Sequence, residues 1–252
     1  TVTDNTELFS YSLSQPSADL FVEQVSWAER GAEVVMNGRW GKLEAKIPVV
    51  GEYNLSNILA VVAALVSSGF DARLVVNALA DLPPVPGRMQ MISRPLCPRV
   101  VVDYAHTPDA ISNVLRALRL QVSGKLVVVL GCGGDRDRGK RALMAEAAVD
   151  GADDCWFTSD NPRFENPQNI LDQMVSGLES GSVRIEESVR IVEKREEAIR
   201  QAIEFANEED MVVVLGKGHE TYQEISGSRI PFSDVEHCEQ VLREFSVGVN
   251  AR

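Results

Sequence analysis

The chain has no apolar run long enough to cross a bilayer. Its longest such stretches, for example Ile58 to Val66, stop well short of the ~20 residues a membrane helix needs. It has no excess of positive charge either. Twenty-five basic residues stand against 37 acidic ones, a net charge of −12. That argues against general nucleic-acid binding, which needs a basic face to displace counterions. Cysteine is sparse: Cys97, Cys132, Cys155 and Cys238 form no C-x-x-C pair and no zinc spacing, which reads as reduced thiols in a cytoplasm. No initiator methionine, signal peptide or transit sequence precedes Thr1, so the chain is expected to be a piece of something longer. Low-complexity tracts and fixed-period repeats are also missing. What remains is an ordinary globular balance, 44% hydrophobic and 25% charged, over 252 residues. That length suits two domains at roughly 100–200 residues each.

The first part of the chain reads as strands. Leu8 to Leu13, Leu20 to Ala28, Ala32 to Met36 and Trp40 to Ile47 show partial period-2 alternation, with Gly31 and Asn37-Gly38 as turn signals. An antiparallel meander is the simplest account. The pattern then changes to a helix from Leu55, stopped by Gly69, and a second from Asp71 to Ala80. The run Pro83-Pro84-Val85-Pro86-Gly87 permits neither helix nor central strand, and places a domain boundary between 1–86 and 87–252. Beyond it, β-branched runs alternate with amphipathic segments: Val100 to Val102, Lys125 to Leu130, Cys155 to Thr158, Val189 to Val192 and Met211 to Leu215. Helices are expected near 108–120, 139–148, 167–178 and 194–206. This α/β rhythm implies a mostly parallel, Rossmann-like sheet with helices on both faces. In such sheets ligands bind beyond the carboxyl ends of the strands.

Four polar or glycine-rich strings fall there: Asp103 to Asp109, Gly131 to Arg141, Ser159 to Arg163 and Gly216 to Glu220. The second contains Gly134-x-x-x-x-Gly139-Lys140, the spacing of a phosphate loop. It is followed by Arg141, though, where that loop needs a hydroxyl for magnesium. Counted from Gly131 it fails the dinucleotide fingerprint too, because Arg136 occupies the last glycine position. Two readings remain: a helix start suited to an anion, or a solvated loop in which Asp135 and Asp137 balance the cations. Arg163 has the geometry to fork a carboxylate, while Asp160 and Asn161 could simply make an Asx turn before Pro162. Glu220 is suited to an amine. Asp103 reads as a ribose acceptor or a helix cap, a role Thr107 fills better. His106 and His219 read as hydrogen-bonded structural histidines before catalytic ones, no Ser/His/Asp or Cys/His arrangement is present, and the three tryptophans read as core.

Taken together these strings resemble the Mur ligases, ATP-dependent amide-bond ligases of peptidoglycan precursor synthesis, in the branch that adds meso-diaminopimelate. Gly51-Glu52-Tyr53-Asn54-Leu55-Ser56-Asn57 looks like the family's G-x-[FY]-N-x-x-N string. Pro86-Gly87-Arg88-Met89 looks like the entry to its C-terminal domain, and the other strings follow in order. The resemblance implies that residues 1–86 are the later part of a central ATP-binding domain and 87–252 the amino-acid-binding C-terminal domain. It implies nucleotide contacts from Asn54, Asn57, Arg88 and Asp103. It implies a meso-diaminopimelate pocket from Arg136, Asp160, Asn161, Pro162, Arg163, Gly216 and Glu220. The physical reading agrees at one point: diaminopimelate differs from lysine by a second carboxylate, which a guanidinium fork discriminates.

The implied reaction activates the D-glutamate side-chain carboxylate of UDP-N-acetylmuramoyl-dipeptide as an acyl phosphate, which the amine of diaminopimelate then displaces. The implied cofactors are ATP and Mg²⁺. The family's phosphate loop, magnesium ligands, carbamylated lysine and UDP-sugar domain have no counterpart in this sequence, so catalytic and metal residues are expected upstream and the chain alone is expected to be inactive. The expected partners are small molecules only, with no nucleic acid and no membrane, for a cytoplasmic monomer. The rival readings are a free-standing amino-acid-binding module or pseudoenzyme, and a sister ligase such as the D-Ala-D-Ala-adding enzyme or a folylpolyglutamate synthetase.

Overall fold

The computed structural model describes residues 7–28, 31–83, 85–176, 178 and 187–249. It divides into two compact units, Thr1–Pro84 and Val85–Arg252.

The first unit holds a four-stranded sheet in the order β1-β2-β3-β4: Tyr11–Ser12, Leu20–Ala28, Gly31–Gly38 and Leu43–Ile47. The last three form the expected meander, but β1 runs parallel to β2. The cause is local. A turn at Gln15–Ala18 brings the chain back in the same direction, and Asp19 Oδ2 accepts both the N–H and the hydroxyl of Ser10 at 2.8 Å. The Asn37-Gly38 signal is also displaced. Those two residues stay paired to Phe21 and Leu20, and the reversal falls at Arg39–Trp40, closed by Gly41 N–H donating to the Gly38 carbonyl. Alternation in β4 reads buried, exposed, buried along Leu43–Ile47, and its inner face meets α1 (Glu52–Ser67) and α2 (Ala72–Ala78) in one apolar core. Helix α1 ends in a Schellman arrangement: Gly69, at φ +96°, donates to Val66 and Phe70 donates to Leu65. Asp71 caps α2 by accepting from Arg73 and Leu74 N–H.

The second unit is built on six strands in the order β5-β6-β10-β7-β8-β9, which are Gln90–Ile92, Arg99–Asp103, Met211–Leu215, Leu126–Cys132, Asp154–Ser159 and Val189–Ile191. Only β5 is antiparallel. The four central strands carry buried β-branched and aromatic residues on both faces, the expected signature of a covered parallel sheet. Helices α3 (Pro108–Arg119), α4 (Gly139–Gly151) and α5 (Pro167–Val175) pack in sequence along the sheet, α3 against α4 and α4 against α5. Helices α6 (Arg195–Phe205) and α7 (Asp234–Val249) join a second core cluster with Val100, Val127, Val212 and Trp156. A two-stranded hairpin, β11 (Tyr222–Ile225) and β12 (Ser228–Pro231), follows β10. Among the described residues no helix is long and apolar enough to cross a membrane.

Register decides where the loops meet. Leu215 lies opposite Asp103 on one side and Leu130 on the other, and Cys132 lies opposite Ser159. The strands β6, β7, β8 and β10 therefore finish at nearly one level, and the four polar strings leave from a single edge.

Candidate functional site

The loop after β8 is the frame of this edge. Asn161 is 3% exposed and almost fully committed. Its Oδ1 accepts from Lys217 Nζ at 3.0 Å and from Glu224 N–H at 2.9 Å, and its Nδ2 donates to Glu220 Oε2 at 2.8 Å. Its carbonyl accepts the Gly134 N–H. Pro162 is buried; its carbonyl accepts Glu165 N–H and lies where a side chain on Gly134 would have to go. Asn161 and Pro162 are thus braces for their neighbours, with one Asn161 amide proton left over.

Arg163 occupies the left-handed region at φ +51°, held there by donating its N–H to the Glu224 carbonyl at 2.9 Å and accepting from Ser226 at 2.7 Å. The β11–β12 hairpin therefore fixes its backbone. Its Nη1 donates to the Gly134 carbonyl at 2.7 Å, and Nε stands 3.5 Å from Glu224 Oε2. Nη2 has no partner among the described residues, so the terminal edge of the guanidinium remains open to a carboxylate. Gly133 separates Arg163 from Arg136: a Cβ there would stand 3.0 Å from Arg163 Nη1 and 3.5 Å from Arg136 Cγ. Arg136 is exposed and makes no ion pair or hydrogen bond among the described residues.

Of the other cations of that loop, Arg141 faces inward, while Arg138 and Lys140 are exposed. Arg141 is 1% exposed and forks Glu165 at 2.7 and 3.1 Å, while also donating to Gln173 and the Gly133 carbonyl. Arg138 reaches Glu165 at 3.2 Å. The Arg141 fork and the Asp135 N–H together hold the Glu165 carboxyl far down, at about 2. The start of α4 is already occupied by an internal anion, since Asp137 Oδ1 accepts Gly139 N–H at 3.0 Å. The reading of this helix start as an anion site therefore gives way to a self-capped turn, and Arg136 is left without a partner among the described residues. Cys132 is no nucleophile: burial pushes its thiol up to about 12, and its Sγ packs 3.7 Å from Met144 Sδ. All four cysteines are buried.

Glu220 comes from the loop after β10. Its Oε2 takes the Asn161 amide and, at 2.9 Å, the Lys217 ammonium, while Oε1 has no partner among the described residues. Burial works to raise this carboxyl, but the Lys217 and Asn161 hydrogen bonds outweigh it and keep it below its usual range. Asp160 is buried with one oxygen against Gly216, where a Cβ would stand only 2.7 Å away. Burial lifts the Asp160 carboxyl, opposed by the charges of Arg195 and Lys217. Beneath it, Arg195 and Asp234 form a fully buried bidentate pair at 2.7 and 2.8 Å, joining the starts of α6 and α7, and Arg195 also donates to the Leu215 carbonyl. Arg136, Asp160, Asn161, Arg163, Gly216 and Glu220 thus gather at one place, lined by one open cation fork and one open carboxylate oxygen.

The proposed nucleotide residues are placed differently. Asp103 Oδ2 accepts Met89 N–H at 2.7 Å and Oδ1 accepts Ala105 N–H at 2.8 Å, so the carboxylate ties down the chain segment that enters this unit. Burial raises its carboxyl more than these bonds lower it. Thr107 caps α3, as expected. Arg88 is exposed and stacks over the Tyr104 ring at 4.8 Å, beside His106 and His219. In the other unit, Asn54 anchors the start of α1 by donating to the Val50 carbonyl at 2.9 Å, and Asn57 is exposed one turn on.

Sequence reasoning missed Lys217, Glu224 and the Arg195–Asp234 pair. A signal existed for the hairpin that carries Glu224: Ser226-Gly227, both at positive φ, is a two-residue turn between short alternating runs.

Two family descriptions match the chain: "Mur ligase, glutamate ligase domain" over residues 87–218, and "Mur ligase middle domain" over residues 2–65. The UDP-N-acetylmuramoyl-L-alanyl-D-glutamate–2,6-diaminopimelate ligase of Alkalilimnicola ehrlichii is 43% identical over 240 residues, 95% of this chain and 47% of that protein. The enzyme of the same name from Trichormus variabilis is 41% identical over 244 residues, 94% and 47%. A solved structure of a ligase with this name superposes with a TM-score of 0.66 at 40% identity, covering 94% of this chain and 48% of that one. The chain spans about half the length of the curated relatives it matches.

Proposed function

The chain belongs to the Mur ligase family, and from that premise we propose that it is the carboxy-terminal half of an ATP-dependent ligase that adds meso-diaminopimelate to UDP-N-acetylmuramoyl-L-alanyl-D-glutamate. The observation that carries this reading is the pairing, at one sheet edge, of the open Arg163 fork with the open Glu220 oxygen. A substrate with two amino-acid heads needs both: a fork for the carboxylate that lysine lacks, and an anion for an ammonium group. Arg136, with no partner among the described residues, is the second cation for the same ligand. Asp160 and Gly216 form the floor, and Asn161 and Pro162 hold the loop in shape.

ATP, when bound, supplies the phosphoryl group that activates the acceptor carboxylate. Arg88 suits its negative charge, being exposed and already oriented by Tyr104. Asn54 and Asn57, each with amide capacity to spare, are proposed nucleotide contacts from the first unit. Asp103 would act by shaping the Arg88 turn, since both its oxygens hold backbone N–H groups. Magnesium does not fit these residues: among those described, no three His, Cys, Asp or Glu side chains are grouped to hold a metal, so no step is assigned to a metal here. The contribution of this half is positioning. It orients the amine of diaminopimelate toward an acceptor activated elsewhere. Cytoplasmic location and action as a monomer on small molecules belong to the same proposal.

The test is ligation by the full-length protein, given the UDP-linked dipeptide, ATP and either meso-diaminopimelate or L-lysine. Amide product with the first and none with the second is expected. Equal use of both amino acids would overturn the reading of the pocket.

A further inference from the structure

Lys217 is completely enclosed, with no exposed surface, yet it sits inside the loop that presents Glu220. A buried ammonium survives only when paired and hydrogen-bonded. Its Nζ donates to Asn161 Oδ1 at 3.0 Å and to Glu220 Oε2 at 2.9 Å, and the triangle closes because Asn161 Nδ2 donates to that same Glu220 oxygen. The backbone makes this possible. Gly216 at φ +113° and Gly218 at φ +53° flank the lysine and take conformations that a side chain would resist, which turns it under the loop. Resting on the function proposed above, we infer that Lys217 is a positioning residue that locks Oε2 of Glu220 and thereby presents Oε1 to the ammonium group of the amino-acid substrate. Lys217 itself does not touch that substrate.

The charged groups that face Glu220 are few. Lys217 comes from its own loop. Arg163 and Asp160 come from the loop after β8, and Glu224 of β11 acts through Arg163. Lys217 and Arg163 favour the carboxylate, and burial opposes it. Asp160 adds repulsion only when ionised, and burial pushes it the other way. Removing Lys217 leaves burial opposed mainly by Arg163 and by the Asn161 amide, so the Glu220 carboxyl rises and takes up a proton more readily as the pH falls.

The experiment is the pH dependence of meso-diaminopimelate affinity, measured by calorimetry on the full-length ligase. The range is about pH 5.5 to about pH 7.5, where free carboxylates stay ionised and amines stay protonated. Wild-type affinity should be flat. Lys217→Met should bind about tenfold more weakly at the upper end, the size of one lost charge-assisted hydrogen bond, and progressively more weakly toward the acid end. Lys217→Arg should restore the flat profile while remaining weaker, because it returns the charge but not the geometry. A flat profile for Lys217→Met, or a weakened but flat one, overturns the positioning role. So does a Glu220→Gln variant that loses binding while Lys217→Met keeps it. If Lys217→Met does not fold, the wild-type profile still decides, because a fall toward pH 5.5 would mean that Glu220 is not held ionised. Wild-type protein that binds no meso-diaminopimelate at any pH would instead overturn the proposed function, and this inference with it.

Discussion

Arg163→Ala is the substitution whose outcome the geometry fixes most closely. The guanidinium is about four-fifths enclosed and is aimed by the Gly134 carbonyl and by Glu224, which leaves Nη2 without a partner among the described residues. A forked, partly desolvated guanidinium–carboxylate contact contributes about 2–4 kcal/mol, or about 30- to 1,000-fold in Kd at ~1.4 kcal/mol per decade. Stability should change far less. The Nη1 bond to Gly134 is a single charge-assisted hydrogen bond, about 1–2 kcal/mol, and alanine inherits the same left-handed backbone. Lysine at this position keeps the charge but presents no fork, so Arg163→Lys should lose about tenfold, at the weak end of the range for one charged hydrogen bond. The assay is calorimetric titration of the full-length ligase with meso-diaminopimelate and, in parallel, L-lysine. Wild-type protein should bind the first and not the second, and the alanine variant should bring the first down to the level of the second. A loss under about threefold, less than the smallest charged hydrogen bond accounts for, in a variant with unchanged melting would refute the argument that this edge reads a carboxylate.

Three further outcomes are expected. Asp234→Ala strands the Arg195 guanidinium with its charge uncompensated, and should cost about 3–5 kcal/mol in chemical denaturation; a loss below about 1 kcal/mol, the value of an exposed pair, would show that water reaches the pair. Glu165→Gln should destabilise the protein in a pH-dependent way. The native carboxyl titrates near 2, below its ordinary 4.5, so its contribution is complete above about 4.5 and disappears as pH falls toward 2. Melting curves of variant and wild type should therefore converge on acidification, and a constant gap between pH 7 and pH 3 would contradict the Arg141 pairing. The 252-residue chain by itself should release no phosphate from ATP, because Arg141, at the position where a phosphate loop carries its hydroxyl, is buried against Glu165 and Gln173. Magnesium- and substrate-dependent phosphate release from this chain would overturn that expectation.

The parallel sheet was legible because Val100 to Val102 and Met211 to Leu215 are apolar at every position, which only a strand covered on both faces tolerates. The convergence of the four loops followed from the same pattern. What escaped was everything decided by pairing between distant segments. Nothing near Tyr11 announces a parallel partner, because the Ser10–Asp19 contacts depend on how the intervening turn closes. Lys217 between two glycines reads as a surface lysine, and only the arrival of Asn161 from another strand end gives it a buried role. The phosphate loop could be excluded from the missing hydroxyl alone, whereas the partners of Arg141 could not be named, since Glu165 and Gln173 lie beyond a full strand. Asp103 shows the limit from the other side: its type and place suited a ligand acceptor, but both oxygens serve the backbone of Met89 and Ala105.

The position of β10 has a consequence for how this unit comes into being. It is the last strand of the sheet to be synthesised, yet it lies between β6 and β7, with Val213 beside Val101 on one side and Val128 on the other. Until Met211 to Leu215 leaves the ribosome, the β6 and β7 segments hold two facing rows of unpaired backbone groups around a gap one strand wide. Such rows invite pairing with each other or with a neighbouring chain. Closure then depends on contacts between remote parts of the chain, which form slowly. A chain cut just before Met211 should therefore yield not a smaller domain but aggregated protein, and a β10 segment supplied as a separate peptide should rescue solubility by filling the slot.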